Sequence, residues 1–273
     1  MLRRQAPWLT ALAVSSSFAD IWAPFAWGAV SSGGLIVGAI AGVFSRSSHH
    51  AIAMGMSVGA GLLLAAVSLK LTAEAVRLAG PMMAVGSLLL GAAVFSAVNA
   101  FLARFGAANR KRCGACTSQA SESMQPGSGR AIALGTALDA VPEALVLGLA
   151  LRQPTFPLEL VIALSVGNLP EAVSGAAGMR TAGRSYRYIF SLWSAVAIGA
   201  AVSIAAGYAA FGLLDQPWPP RLQAFGAGAL LATTAETMIP EAFHNSPRFS
   251  GFMAAIGFCL VLLVGAVTRQ YVY

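Results

Sequence analysis

Charge is what this sequence most lacks. Only 10% of its 273 residues are Asp, Glu, Lys or Arg, against roughly 25% in an average soluble domain. That scarcity excludes a soluble enzyme and a disordered chain, which both need polar surface. Histidine and cysteine are scarce too, with three of each. Three cysteines do not make a disulfide framework: Cys113 and Cys116 form a CxxC pair, and Cys259 stands alone in an apolar run. No HExxH, GxSxG or phosphate-cradling glycine loop occurs, so no enzymatic activity is expected.

Hydrophobic length is what the sequence has. Apolar residues make up 57% of the chain, and the mean hydropathy is +0.72. Apolar runs fall at about 21–44, 51–73, 82–105, 130–151, 158–179, 188–214, 221–243 and 250–268. Eight crossings of about 20 residues each account for nearly all of the apolar content. The expectation is an all-α polytopic membrane protein with eight transmembrane helices. Residues 1–20 form an N-terminal segment, readable as a signal peptide or as a partial crossing. Helices 1–3 lie in 21–105 and helices 4–8 in 130–273. Between them, 106–129 carries Arg110, Lys111, Arg112, the CxxC and a Ser/Gln/Gly-rich stretch. That composition cannot pack a core and reads as a flexible cytoplasmic loop. Gly55, Gly59 and Gly61 in the second run fit a small-residue face for helix packing.

The net charge of +7 suggests a positive-inside bias rather than nucleic-acid binding, because the basic residues are dispersed between apolar runs. Connections after runs 1, 3, 5 and 7 hold ten Lys or Arg, and those after runs 2, 4 and 6 hold three. The richer set belongs on the cytoplasmic side, which leaves both termini external. Arg3 and Arg4 run against that assignment, unless the N-terminal segment is cleaved or crosses.

Of the ten acidic residues, Asp139 and Glu143 fall inside run 4, Glu171 inside run 5, and Glu236 and Glu241 inside run 7. A carboxylate at mid-bilayer costs roughly 2.5–3.5 kcal/mol on insertion scales. Five of them facing lipid would be prohibitive, so they should converge on a cation, on a proton or on one another. Their contexts match: Val141-Pro142-Glu143-Ala144, Leu169-Pro170-Glu171-Ala172 and Ile239-Pro240-Glu241-Ala242. Proline removes a backbone donor and clashes with the carbonyl four residues back. Pro-Glu therefore supplies a freed carbonyl and a carboxylate within one turn, and predicts kinks in helices 4 and 5. Hard or borderline divalent cations use oxygen ligands of this kind. Asp139 and Glu143 are spaced i,i+4 and Asn168 and Glu171 i,i+3, so each pair shares a helix face. Glu241, nearer a helix end, could instead be solvated.

At these residues the chain resembles the ZIP (zinc/iron permease-like) family of divalent-metal transporters, from about residue 30 to the end. The likeness rests on the Pro-Glu motifs of helices 4 and 5. It implies an eight-helix bundle with external termini and a mid-membrane metal site. Glu143 and Glu171 fall on the family's ligand glutamates, and Asp139 on its helix-4 histidine. Ala140 replaces the asparagine that follows. Asn168 is the polar residue of the helix-5 motif, and Glu236-Thr237 stands where the family has His-Glu. Near Ser194 a family carboxylate is missing. The implied metal ligands are Asp139, Glu143, Asn168, Glu171 and Glu236, an all-oxygen set that suits harder cations than zinc.

The expected function is transport of divalent cations of the zinc, iron or manganese class toward the cytoplasm. The metal would be cargo, not a tightly bound cofactor. The resemblance also implies a homodimer among membrane lipids, in a plasma membrane such as the bacterial inner membrane. Lys70 lies in apolar run 2. Either it snorkels outward beside Glu74, or it enters the site as a gate or a substitute for metal charge. Two rivals follow: a carrier for protons or another solute with a Lys70–carboxylate relay, and a transport-inactive relative with a sensing or structural role. His244, past run 7, is an exit ligand or an interfacial residue. Cys113 and Cys116 supply half a tetrahedral zinc site, for metal capture or as incidental thiols.

Overall fold

The computed structural model describes residues 21–45, 48–107, 110, 128–153, 156–215, 217–245 and 248–272. The CxxC and residues 1–20 lie outside these. The described residues form eight helical rods and no strand. They are α1 (Trp22–Phe44), α2 (His49–Ala65, π-helical Ala66–Thr72, then Ala73–Ala79) and α3 (Pro81–Leu102, continuing π-helical over Ala103–Ala107). There follow α4 (Ser128–Ala150), α5 (Leu158–Thr181) and α6 (Tyr186–Phe211). The last two are α7 (Trp218–Thr233, π-helical Thr234–Met238, then Ile239–Asn245) and α8 (Ser250–Val272). Gly80 at φ 80° followed by Pro81 makes the tight α2–α3 turn. Pro142 and Pro170 lie inside uninterrupted α4 and α5, whereas Pro240 is the second residue after the π-helical stretch of α7.

Seven rods are long and apolar enough to cross a membrane; α7 is not among them. Its Thr233, Thr234, Glu236 and Thr237 dilute the apolar character that its length would otherwise carry. On α3 and α8, large apolar side chains such as Leu89, Phe101, Phe252 and Leu263 face outward, as expected where lipid is the solvent.

The rods pack as two groups. In one, α1 lies against α5 and α6, and α6 against α4; in the other, α3 lies against α7, and α2 against α8 and α7. The groups meet where α2 touches α5 and where α4 touches α7 and the C-terminal part of α3, so α4 lies as much against the second group as against α6. Glycine makes the intimate pairings possible. Gly34, Gly38 and Gly42 of α1 rest directly on the carbonyl oxygens of Ser165, Leu169 and Val173 of α5. Gly91 of α3 rests on the Phe225 carbonyl of α7, and Gly228 of α7 on the Leu88 carbonyl of α3. Gly61 and Gly257 repeat that reciprocal contact between α2 and α8. Without a hydrophobic drive between helices in lipid, such close backbone approach supplies much of the attraction. Gly38→Leu should therefore cost about 1–3 kcal/mol through overpacking, read as a lowered unfolding midpoint in detergent. Gly33→Leu, on the same helix but facing open space, should leave that midpoint unchanged.

Candidate functional site

The buried acids are set by the faces of α4 and α5. On α4, Asp139, Pro142, Glu143 and Val146 turn inward, while Leu134 and Val141 face outward. On α5, Gly167, Asn168, Glu171 and Gly175 turn inward and Val166 outward. Asp139, Glu143 and Glu171 are 2%, 9% and 5% exposed, so none is spent on lipid. An apolar groove of about 320 Å³ between α4 and α6, lined by Leu134, Ala137, Val141 and Ala200 among others, opens on the opposite face of α4 from these acids.

A cation from the chain itself already stands among them. α3 ends at Gly106, whose φ of 100° turns the chain back. Arg110, grouped by sequence with the loop's basic residues, is folded into the bundle and only 3% exposed. Its Nε donates to Asp139 Oδ2 at 2.9 Å and its Nη2 to Asp139 Oδ1 at 2.7 Å. This is the two-pronged arginine–carboxylate geometry that gives the stronger ion pairs. Its Nη1 donates to the Ala107 carbonyl at 3.1 Å. Gly135, one turn before Asp139, leaves room for the arginine stem: a Cβ there would come within 2.7 Å of Arg110 Cδ. A Cβ at Gly175 of α5 would lie 3.4 Å from the Arg110 carbonyl. Arg110 is thus wedged between α4 and α5, which touch each other only lightly. Burial alone would lower its pKa; the Asp139 charge and hydrogen bonds, with Glu171 and Glu236 adding through space, outweigh that and leave it raised.

The other expected ligands have other engagements. Glu236, in the π-helical stretch of α7, accepts from Ser96 Oγ and, at 2.8 Å, from Asn99 Nδ2, both on α3. Asn168 donates to the Ser31 carbonyl of α1 at 3.2 Å. Glu241 is buried and His244 exposed in the last segment of α7. Among the described residues, no three His, Cys, Asp or Glu side chains converge closely enough to hold a metal ion.

Lys70 pairs with none of the acids weighed for it from the sequence. Its Nζ meets Glu159 Oε1 at 2.6 Å, at the start of α5, and Glu74 instead accepts from Gln223 Nε2 at 2.9 Å. Glu159 and Glu171 are twelve positions apart on α5, or about 18 Å at helical rise. Lys70→Met should accordingly change cation affinity at Glu143 and Glu171 by less than about fivefold, the coulombic limit at that distance for an effective dielectric of about 20, measured by equilibrium dialysis. A tenfold change would return Lys70 to the site.

These two ion pairs join separate rods: Lys70 of α2 binds α5, and Arg110, following α3, binds α4. Arg110, Glu159 and the Ser96–Asn99 pair were not legible as site residues. Their one signal was arithmetic, since buried acids require cations and donors from somewhere. These features define the class: an integral membrane protein, all-α and polytopic, with buried carboxylates at the seam of two helix groups. No protein-family model matches the chain, and no curated protein matches it.

Proposed function

We propose that this chain is a carrier moving divalent metal cations, of the zinc, iron or manganese class, across a membrane toward the cytoplasm, as a divergent ZIP-like protein. One observation carries the reading. Asp139, Glu143 and Glu171 are buried on two helices beside the boundary of two helix groups, and the field they create already retains a cation. A pocket that stabilises a guanidinium is electrostatically prepared for another positive ion. In alternating access, the group of α1, α4, α5 and α6 would rock against that of α2, α3, α7 and α8, with α7 counted as the eighth crossing. Glu143 and Glu171 would be the shared ligands, with Asp139 joining them once released. The excess of Lys and Arg after α1, α3, α5 and α7 assigns those connections to the cytoplasm and both termini to the outside. The family likeness adds a plasma or bacterial inner membrane and a homodimer.

A second reading, a transport-inactive relative, is favoured by the Arg110–Asp139 pair, which would be a permanent staple in a protein that never opens. The Lys70 proton relay loses ground, because Lys70 is engaged far along α5 from Glu171. Uptake by the full chain in liposomes separates the three. Zn²⁺, Mn²⁺, Fe²⁺, Cd²⁺ and Mg²⁺ are tested singly, and a pH gradient is imposed without metal. Saturable uptake of at least one ion is expected. No uptake of any ion overturns the carrier reading, and pH-driven flux without metal transfers it to protons.

A further inference from the structure

The groove between α4 and α6 lies away from the buried acids and has a shape and a charge of its own. The two helices run in parallel. Arg184, just before α6, donates to Ser128 Oγ at the start of α4 at 2.8 Å, and Arg152, just past α4, donates to the Tyr208 carbonyl near the end of α6 at 2.9 Å. Between those ties, small side chains line both walls, among them Ala137 and Ala140 of α4 and Ala195 and Gly199 of α6, and about 320 Å³ is left open. On α6 the lining runs from Leu192 to Ser203, about 16 Å at helical rise. Half of the hydrocarbon core is about 15 Å thick, so the groove is one leaflet long. Its near end is basic. Arg130, Leu134, Ala137 and Val141 are spaced i, i+4, i+7, i+11, so the exposed Arg130 heads the wall that the other three form. On the other wall Tyr188 stands one turn before Leu192, and the Arg184 guanidinium lies over its ring, 5.4 Å from the centroid. No Asp or Glu occurs in 128–138 or 172–214, so neither helix brings an acid to this end.

We propose that this groove is a binding site for one anionic phospholipid, with an acyl chain lying along Ala137, Ala140, Ala195 and Gly199 and the phosphate held by Arg130 and Arg184. Every lipid-facing helix meets chains that exchange freely. This face differs in being concave, one leaflet long and headed by cations. Basic pockets between membrane helices take anionic headgroups, the guanidinium fork matches phosphate, and tyrosine suits that depth. The end bearing Arg130 and Arg184 is also the one the basic connections assign to the cytoplasm, where the leaflet carries anionic lipid. A second copy of the chain fits less well. A two-fold axis along the membrane normal would set the same basic end beside itself at the same depth, and the like charges would repel. The bound chain fills what the short side chains leave open, and so ties α4 to α6 where the groove parts them. The site is independent of the carrier reading.

The test uses the full chain, delipidated in detergent, with dioleoyl phosphatidylglycerol and dioleoyl phosphatidylcholine as probes and native mass spectrometry as the readout. Phosphatidylglycerol should be retained as a single adduct about 25-fold more tightly than phosphatidylcholine, at about fivefold for each of two basic residues at a membrane surface. Arg130→Gln should weaken that retention about fivefold. Arg187→Gln should weaken it less, because Arg187 lies about 140° round α6 from Leu192. Gly199→Leu fills the groove. A Cβ there meets nothing within 4 Å, so the helix accepts it, and retention of phosphatidylglycerol should fall to the phosphatidylcholine level. Gly33→Leu, equally open, should leave retention unchanged. Equal retention of the two lipids by wild type overturns the proposal. So does full retention by Gly199→Leu, or displacement by excess inorganic phosphate, either of which reduces the site to surface arginines. A Gly199→Leu chain that loses a dimer and keeps phosphatidylglycerol assigns the groove to a second copy instead. Unfolding midpoints without lipid check that the variants fold; should Gly199→Leu fail, Ala137→Leu, which fills the groove from the α4 side, decides in its place.

Discussion

Arg110→Gln should destabilise the cation-free chain by about 3–5 kcal/mol, the cost of breaking a buried ion pair from one side. The reason lies in the partner left behind. Asp139 is 2% exposed at the middle of α4 and cannot turn to water without unwinding the helix. Asp139→Asn should cost distinctly less. The arginine it abandons keeps its donation to the Ala107 carbonyl, and the side-chain carbonyl of the introduced amide can still accept one of its hydrogen bonds. The asymmetry distinguishes this pair from a symmetric staple, in which either truncation would hurt equally. Unfolding midpoints in mixed micelles would measure it. The double substitution Arg110→Met, Asp139→Leu should recover most of the loss, because apolar replacement of a buried pair is often neutral or better. Arg110→Gln within about 1 kcal/mol of wild type, no more than an exposed ion pair is worth, would mean that water already reaches Asp139.

The same residues mark how far the sequence could be read. Helix positions were nearly all accessible, because an apolar run of crossing length has no alternative in lipid but a helix with every backbone group satisfied. Runs at 21–44 and 188–214 became Trp22–Phe44 and Tyr186–Phe211. The α7 region was placed correctly as a segment, at 221–243 against Trp218–Asn245, yet its π-helical stretch followed from no periodicity. The glycines at 34, 38 and 42 repeat every fourth residue, a pattern that matches the α1–α5 contact, and Gly55, Gly59 and Gly61 offer a second small-residue face. Gly59 does approach Gly167 of α5, and Gly61 approaches α8. What no local pattern carries is the choice of partner. Lys70 had a plausible neighbour in Glu74 at i,i+4 and took Glu159, eighty-nine positions away. Arg110 looked like one more cytoplasmic basic residue. Only the folded bundle shows that the turn at Gly106 and the gap at Gly135 admit it to Asp139.

Glu143→Gln and Glu171→Gln should each reduce metal uptake into liposomes by about 100-fold or more, since even residues that merely orient ligands cost 10–100-fold when changed. Glutamine preserves size and one oxygen acceptor while deleting the charge, so the loss would come from electrostatics rather than packing. Both side chains are buried, and neither is the partner of Lys70 or the bidentate partner of Arg110. Glu171 nonetheless adds to the field around Arg110, so the unfolding midpoint of each variant is measured beside its uptake, and the loss of uptake should exceed any loss of folded protein. Glu159→Gln is the matched control: it is equally buried on α5 but about 18 Å from Glu171 by helical rise, and it should keep the concentration dependence of uptake. If Glu143→Gln and Glu171→Gln transport like wild type while Glu159→Gln does not, the cation path runs through the Lys70 end of the bundle. The two Pro-Glu motifs would then serve α4 and α5 as helices and not as a binding site.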